Sequence, residues 1–169
     1  MSRKIYITEA QLKQLMRVKI NEEQEIVNQE EKIINTVRDL INEGEFELVD
    51  YNYTATTIGI DGDLWYRVDI NDEDYYFLCV EYSSSIDVRR DDGDYYTAPD
   101  YSIKLRNFKI ERIIINDSDE KPLVNVNLTQ YPNFTEFIHN MIYDVIEDNI
   151  VSGEYKLEEY EPDYDDIDD

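Results

Sequence analysis

Apolar side chains recur with helical spacing over residues 9–43, the longest regular pattern in the chain. The apolar positions return about every seven residues and share one helical stripe: Leu12, Met16, Ile26, Val27, Ile33, Ile34, Val37, Leu40 and Ile41. Gly44 follows as a helix terminator, because glycine adopts a positive φ at little cost. One long helix fits this pattern, and so do two helices broken near Asn21.

A single helix over this span would be about 50 Å long at about 1.5 Å per residue, which is long for a domain of this size. We therefore expect part of it to project or to pair. The stripe fits an ordinary core helix, and it also fits a contact between copies of the chain. The polar residues Lys19 and Glu23 on the stripe argue against an extended coiled coil.

The apolar period changes to two over residues 46–128, where Tyr, Val, Ile and Thr are enriched. This pattern predicts an antiparallel meander of five or six strands near 46–54, 56–60, 64–70, 75–82, 101–115 and 123–128. The polar connectors at 61–63 and 71–74 are interpreted as hairpin turns. A shift of parity predicts a bulge near Arg106 and Asn107, and the apolar run 113–115 is expected to be covered by a helix.

Residues 83–100 show no steady period, so we expect a long loop inside the sheet. Loops of this length in compact domains often carry function, and a plain solvated excursion is the alternative. After Pro132, the stripe from Phe134 to Ile146 predicts an amphipathic helix over residues 133–150 that packs on the sheet. The predicted fold is α+β, with a single domain at 1–153.

The last segment, residues 154–169, contains nine acidic residues and one Lys. We expect a disordered acidic tail, because so many like charges oppose burial. Its interspersed tyrosines are typical of short docking segments, and a merely solubilising tail is the alternative.

The formal net charge is −24, from 40 acidic and 16 basic residues. Such a surface repels nucleic acid and attracts basic proteins, so no direct contact with a nucleic-acid backbone is expected. Residues 1–20 reverse this sign locally with Arg3, Lys4, Lys13, Arg17 and Lys19. This basic segment could fold back on the protein's own acidic surface or bind the tail of another copy, so a homo-oligomer is possible.

The sequence lacks the residues that several kinds of catalytic, phosphate-binding and metal sites need. His139 is the single histidine and Cys79 the single cysteine, and the five glycines form no phosphate-binding loop. Zinc lacks paired Cys and His ligands, and the acidic turns do not have the spacing of a calcium-binding loop. We expect no enzyme activity, no cofactor and no metal, although paired carboxylates among forty candidates remain an open alternative. The lone cysteine and the absence of a leader or an apolar span indicate the cytoplasm and no membrane.

Two functions fit the acidity and the tyrosines. In the first, the protein occupies a basic site on a partner protein, as a nucleic-acid mimic or inhibitor. In the second, it is a structural or assembly component that docks through its long helix, loop and tail. The predicted contact residues are the helix acids, the loop residues and the tail residues, namely Glu22, Glu23, Glu30, Glu31; Asp91, Asp92, Asp94, Tyr95, Tyr96; and Tyr160, Tyr164, Asp165, Asp166, Asp168, Asp169.

Two segments resemble small accessory proteins of tailed bacteriophages. One begins Arg3-Lys4-Ile5-Tyr6-Ile7-Thr8-Glu9-Ala10-Gln11-Leu12, continuing through Leu15, and the other runs from Val80-Glu81-Tyr82-Ser83 through the loop to Pro99-Asp100-Tyr101-Ser102-Ile103. The resemblance implies a phage protein made in a bacterial cytoplasm, where inhibitors of host defence and small virion components are both expected. It implies no catalytic or binding residue.

Overall fold

The chain forms two helices and a five-stranded antiparallel meander, so the predicted α+β fold is confirmed. The structure is a computed structural model that describes residues 9–56, 58–91, 100–152 and 155, and side chains within 12–56, 58–87, 103–152 and 155. The elements are α1 (Glu9–Glu43), β1 (Phe46–Ala55), β2 (Gly59–Asp69), β3 (Tyr75–Asp91), β4 (Asp100–Asn116), β5 (Pro122–Asn125) and α2 (Pro132–Val151). The strands lie side by side in chain order.

Helix α1 is continuous, without a break near Asn21. It ends at Gly44, which has a φ of 86° and donates its N–H to the carbonyl of Ile41. Only the C-terminal part of the helix enters the core, where Ile34, Val37 and Ile41 are buried. The helix contacts both β2 and β5, so it crosses the sheet.

Strand β2 runs unbroken through Asp61-Gly62-Asp63, so the hairpin turn predicted there, and the separate strands 56–60 and 64–70, are wrong. Gly62 is needed because Asn52, Tyr53 and Tyr82 crowd it. A Cβ at this position would collide with the carbonyl oxygen of Asn52 and lie 3.0 Å from the Tyr82 hydroxyl. The glycine therefore marks a close strand contact instead of a turn. The predicted turn at 71–74 is confirmed, and the Asn71 side chain accepts hydrogen bonds from the N–H groups of Glu73 and Asp74.

Strand β3 extends to Asp91, so the loop predicted over residues 83–100 is wrong for its first half. Residues 92–99 lie outside the described residues. Pairing with β4 holds this segment as a strand although its sequence has no regular strand period. Asp87 forms a salt bridge of 2.5 Å with Arg106, and the Ser84 hydroxyl donates to the Arg106 carbonyl at 3.0 Å.

Strand β4 contains the predicted bulge, at Asn107, which has a φ of 55°. A second bulge lies at Glu111, where the pairing steps from Tyr82 with Ile110 to Glu81 with Arg112. Each bulge adds one residue to β4, so the side chains that follow it point to the opposite face of the sheet from the one that strict alternation predicts. Consequently Leu105, Ile110 and Ile113 all enter the core despite their different parity, and Ile115 is buried there with them.

Helix α2 begins at Pro132 and packs against β4, as predicted. Its buried residues follow at intervals of four: Phe134, Ile138, Ile142, Ile146 and Ile150. They join the α1 residues and one face of the sheet in a single apolar core. Neither α1 nor α2 contains, over its described residues, a stretch apolar and long enough to cross a lipid bilayer.

Tyr155 corrects the predicted tail, because this residue is buried in the core with 1% of its surface exposed. Its ring stacks on Tyr53 of β1. Its hydroxyl lies near that of Tyr82, and burial together with this neighbour strongly raises the pKa of Tyr82. The rest of the predicted tail lies outside the described residues.

Candidate protein-binding surfaces

The four predicted contact residues on α1 are the ones whose side chains the structure describes. Glu22 and Glu23 are exposed, and Glu31 is exposed beside the half-buried Glu30. Burial, with Glu30 and Glu31 as lesser contributors, raises the pKa of Tyr131 at the start of α2. The helix therefore passes beside α2 at this point, and its more N-terminal acids lie beyond the core.

Asp91 is the last residue of β3, and its side chain is not among those described. The other predicted contact residues of the loop and the tail lie outside the described residues: Asp92, Asp94, Tyr95, Tyr96, Tyr160, Tyr164, Asp165, Asp166, Asp168 and Asp169.

The face of the sheet opposite the helices, called here the open face, carries Trp65 among its large side chains. Trp65 on β2 pairs with Asp50 on β1 and with Cys79 on β3. Cys79 in turn pairs with Ile114 on β4. Burial of Cys79 on this otherwise accessible face follows from its position between two large cross-strand neighbours.

Carboxylates surround the tryptophan. Asp63 and Asp61 precede it on β2 on the same face, two and four residues away, or about 7 Å and about 13 Å along the strand. Asp50 is its partner on β1, and Glu81 pairs with Asp63 from β3. These five residues, Asp50, Asp61, Asp63, Trp65 and Glu81, are called the Trp65 patch.

One carboxylate fixes the tryptophan ring. The indole Nε1–H of Trp65 donates to Oδ2 of Asp63 at 2.7 Å, and the Asn52 amide donates to the same oxygen at 3.4 Å. Holding the indole by its polar edge keeps one orientation of the ring. The arrangement therefore presents a fixed aromatic side chain next to negative charge.

The nearby bases of the open face are occupied by other acids. Arg67 pairs with Asp69 at 2.7 Å, and Lys109 pairs with Glu111 at 2.5 Å. Arg112 reaches Glu81 of the patch at 3.4 Å. None of the described Lys or Arg side chains lies within salt-bridge distance of the other three carboxylates, those of Asp50, Asp61 and Asp63.

The carboxylates of the patch also act on the neighbouring thiol of Cys79. Burial raises the pKa of this thiol to about 12, with further upward contributions from Asp63 and Glu81 and an opposing one from Arg112. A thiol with such a pKa stays protonated near neutral pH, which disfavours a role as nucleophile. The same two carboxylates would favour a cation placed at this position.

A shallow groove of about 430 Å³ adjoins the patch and shares Asp50 and Trp65 with it. The Arg67 guanidinium lies 4.2 Å from the centre of the Tyr75 ring, and Tyr75 meets Phe77 edge to face at 5.2 Å. The groove is lined by Val49, Asp50, Trp65, Arg67, Tyr75, Phe77 and Glu120. Aromatic rings and acids thus continue from the patch along the open face.

His139 lies on α2, away from the open face. Its ring meets Phe108 edge to face at 5.0 Å, and its Nδ1 lies 3.3 Å from Oδ1 of Asn140. Among the side chains described, no group of three or more His, Cys, Asp and Glu residues has an arrangement that could hold a metal ion.

The Trp65 patch was not predicted from the sequence, because Asp61-Gly62-Asp63 was interpreted as a turn. One signal was present: Asp61, Asp63 and Trp65 alternate with Ile60, Leu64 and Tyr66, the period of a half-buried strand. Extending the strand through Gly62 would have placed all three polar and aromatic residues on one exposed face.

No family model matches this chain, and comparisons with curated proteins and with solved structures gave no significant match.

Proposed function

We propose that this protein acts without catalysis, by binding another protein and occupying a basic site on it. The main support is the Trp65 patch, in which a fixed indole lies beside the carboxylates of Asp63 and Asp50, with Asp61 further along the same face, and no described cation neutralises these three. A partner can supply the missing cation. An arginine is well suited, because its guanidinium stacks on an indole and also donates hydrogen bonds to a carboxylate, whose charge it neutralises.

The chemistry of the patch favours a basic protein over nucleic acid. Phosphates would be repelled by the carboxylates and by the overall charge of −24. A protein surface that normally holds phosphates is attracted by the same field, and association is accelerated by it. The protein then competes with nucleic acid for that surface, as an inhibitor or mimic. The phage resemblance implies that the partner is a protein of the bacterial host.

The state of the candidate nucleophile and base also supports binding over catalysis. Cys79 is buried with a pKa raised to about 12, and His139 packs against the aromatic ring of Phe108. The two residues lie on opposite faces of the sheet, with Cys79 on the open face and α2 on the covered one. A Cys-His pair would require them to meet.

The second candidate function is that of a virion structural or assembly component. It is favoured by α1, on which every side chain from residue 12 to residue 29 is exposed. A helix that extends beyond the core offers a docking element for a larger complex. In this case the acidic surface serves solubility and steering, and the Trp65 patch is not required for docking.

A capture experiment with the tagged full-length chain separates the two functions. Bacterial lysate is passed over the protein at about 100 mM and about 500 mM salt, because charge-driven binding weakens over this range. The double variant Asp61→Asn with Asp63→Asn removes two charges from the patch and keeps an acceptor for the indole. The matched control, Asp72→Asn with Glu73→Gln, removes two charges from the exposed β2–β3 turn.

We expect recovery of a basic protein that high salt releases and that added duplex DNA displaces. Recovery falls roughly fivefold or more with the patch variant and changes little with the turn control, since a charged contact at an interface commonly contributes about 1 kcal/mol or more. Equal loss with both variants would show a response to net charge alone and would overturn the assignment to the patch. Salt-resistant recovery that the patch variant leaves unchanged would favour the assembly component.

A further inference from the structure

The N-terminal part of α1 extends away from the core over its described side chains. Every side chain from residue 12 to residue 29 is exposed, whereas burial begins at Glu30 and becomes complete at Ile34. At about 1.5 Å per residue this segment is about 27 Å long. It is called here the exposed half of α1.

The exposed half is not polar on all sides. Its large apolar side chains are between 39% and 57% exposed, and all but Val18 lie within about 140° of the helix surface at about 100° per residue: Leu12, Leu15, Met16, Ile20, Ile26 and Val27. This arc continues the stripe that Ile34, Val37 and Ile41 bury against the sheet. The helix thus carries an apolar face that its own domain covers only at one end.

Two charged residues interrupt this apolar face, Lys19 and Glu23. They are four residues apart on the helix, with Nζ and Oε1 separated by 4.0 Å. The surrounding charges are segregated along the helix. Lys13 and Arg17 precede Lys19, whereas Glu22 and Glu25 accompany Glu23. The exposed half therefore has a basic end and an acidic end.

We propose that the apolar face of the exposed half binds the same face of a second copy, with the two helices antiparallel about a two-fold axis near Asn21. In this arrangement residue i lies at the same level as residue 42 − i of the other copy, so the numbers of two facing residues add up to about 42. Lys19 of each copy then lies level with Glu23 of the other. A parallel pair would instead place like charges together at both positions.

Four of the six apolar residues form pairs in the same register. Met16 lies level with Ile26 of the other copy, and Leu15 lies level with Val27. Each pair consists of one residue on either side of the midline of the stripe, as in the layers of antiparallel paired helices. The basic end of each helix also faces the acidic end of the other. The residues that argued against an extended coiled coil thus become the ones that specify partner and direction.

This inference does not depend on the Trp65 patch, which lies on the sheet face opposite α1. Its test is the oligomeric state of the full-length chain by sedimentation from about 2 µM to about 200 µM, since dimers respond to concentration. We expect a concentration-dependent dimer. Lys19→Glu and Glu23→Lys each weaken it roughly fivefold or more, because each places two like-charge pairs between the helices.

Recombining the charges identifies the pairing. The double variant, Lys19→Glu with Glu23→Lys, restores the dimer, and so does a mixture of the two single variants. Arg17→Glu and Glu25→Lys are matched controls, since they make the same charge changes about 160° away from Lys19 and Glu23 on the helix surface. All four positions are exposed, so the variants should unfold at the same temperature as the original protein.

Direction is tested with a cysteine at Met16 in one copy and at Ile26 in the other, in a background in which Cys79 is replaced by Ala. Antiparallel pairing predicts that the mixed disulfide between positions 16 and 26 forms before either symmetric one. A monomer at every concentration would overturn the proposal, and so would a dimer that ignores both charge variants. Preferential symmetric cross-linking would overturn the antiparallel direction and the register with it.

Discussion

The ring of Tyr155 stacks on the ring of Tyr53, with centroids 4.1 Å apart and planes 17° from parallel. This contact brings the chain beyond α2 back to strand β1, at the opposite edge of the sheet from β5. Tyr155 also contacts Tyr51, at a centroid distance of 5.6 Å. The C-terminal boundary of the folded domain therefore includes this residue.

Replacing Tyr155 tests this boundary. We expect Tyr155→Ala to lower the free energy of unfolding by about 3–5 kcal/mol, the usual cost of removing a buried aromatic ring. Tyr155→Phe keeps the stacking and should cost about 1 kcal/mol or less. Urea denaturation followed by circular dichroism measures both. Equal, small effects of the two variants would mean that the ring does not contribute to the core.

Gly62 tests the continuity of β2. We expect Gly62→Ala to destabilise the protein by about 1–3 kcal/mol, because the new Cβ would be forced against the Asn52 carbonyl and the Tyr82 hydroxyl. Gly59→Ala on the same strand is the control, since its Cβ would meet a neighbour at 3.2 Å and needs only a small shift. Thermal unfolding compares the two. A harmless Gly62→Ala would be inconsistent with an unbroken strand at this position.

The buried tyrosines predict sensitivity to alkaline pH. Burial, with a smaller contribution from Tyr155, raises the pKa of Tyr66 from 10.0 to about 12. Between these values the unfolded chain releases a proton that the folded chain keeps, so the free energy of unfolding falls as pH rises. The expected slope is about 1.4 kcal/mol per pH unit for each such tyrosine and begins near pH 10, while Cys79, whose pKa is raised from 9.0 to about 12, adds the same slope from about pH 9.

Urea unfolding at successive pH values measures this slope. Tyr66→Phe should make the slope shallower by one proton, while the raised pKa values of Tyr82 and Cys79 maintain the remainder. Stability that stays constant across this range would show that these hydroxyls ionise equally in both states.

Cys79 should be unreactive in the folded protein. Its thiol is buried and its pKa is raised to about 12, so alkylation near pH 8 should be at least about 100-fold slower than in the unfolded chain. Ser85→Cys in a Cys79→Ala background provides a control on the exposed surface of the same strand. Mass spectrometry after timed alkylation gives both rates. Rapid labelling of Cys79 under native conditions would contradict its position between Trp65 and Ile114.

Periodic segments were predicted correctly from the sequence because their signal is local. The stripe of α2 and the terminator Gly44 depend on neighbours within a few residues, and both agree with the structure. The bulge at Asn107 was predicted for the same reason, since a change of parity is visible within one strand. The second bulge, at Glu111, was missed because the predicted bulge already accounted for the apolar residues that follow it.

The errors in the sheet arose where distant contacts outweigh local preference. Asp61-Gly62-Asp63 has the composition of a hairpin turn, yet its glycine is required by the approach of Asn52 and Tyr82. The serines at 83–85 have little preference for strands, yet pairing with β4 and the salt bridge from Asp87 to Arg106 extend the strand through them. The Trp65 patch depends on both strands and their register, so composition alone could not assemble it.

The emission of Trp65 tests the central claim most directly, because it is the single tryptophan of the chain. The protein is titrated with the basic protein recovered by capture, at low and at high salt, and quenching by acrylamide is measured alongside. Binding at the Trp65 patch predicts a shifted emission and reduced quenching at low salt, both absent at high salt and with the Asp61→Asn, Asp63→Asn variant. A partner that binds while the emission and quenching of Trp65 stay unchanged would contradict the assignment of the open face as the binding surface. A partner that itself contains tryptophan is titrated against the Trp65→Phe variant as its blank.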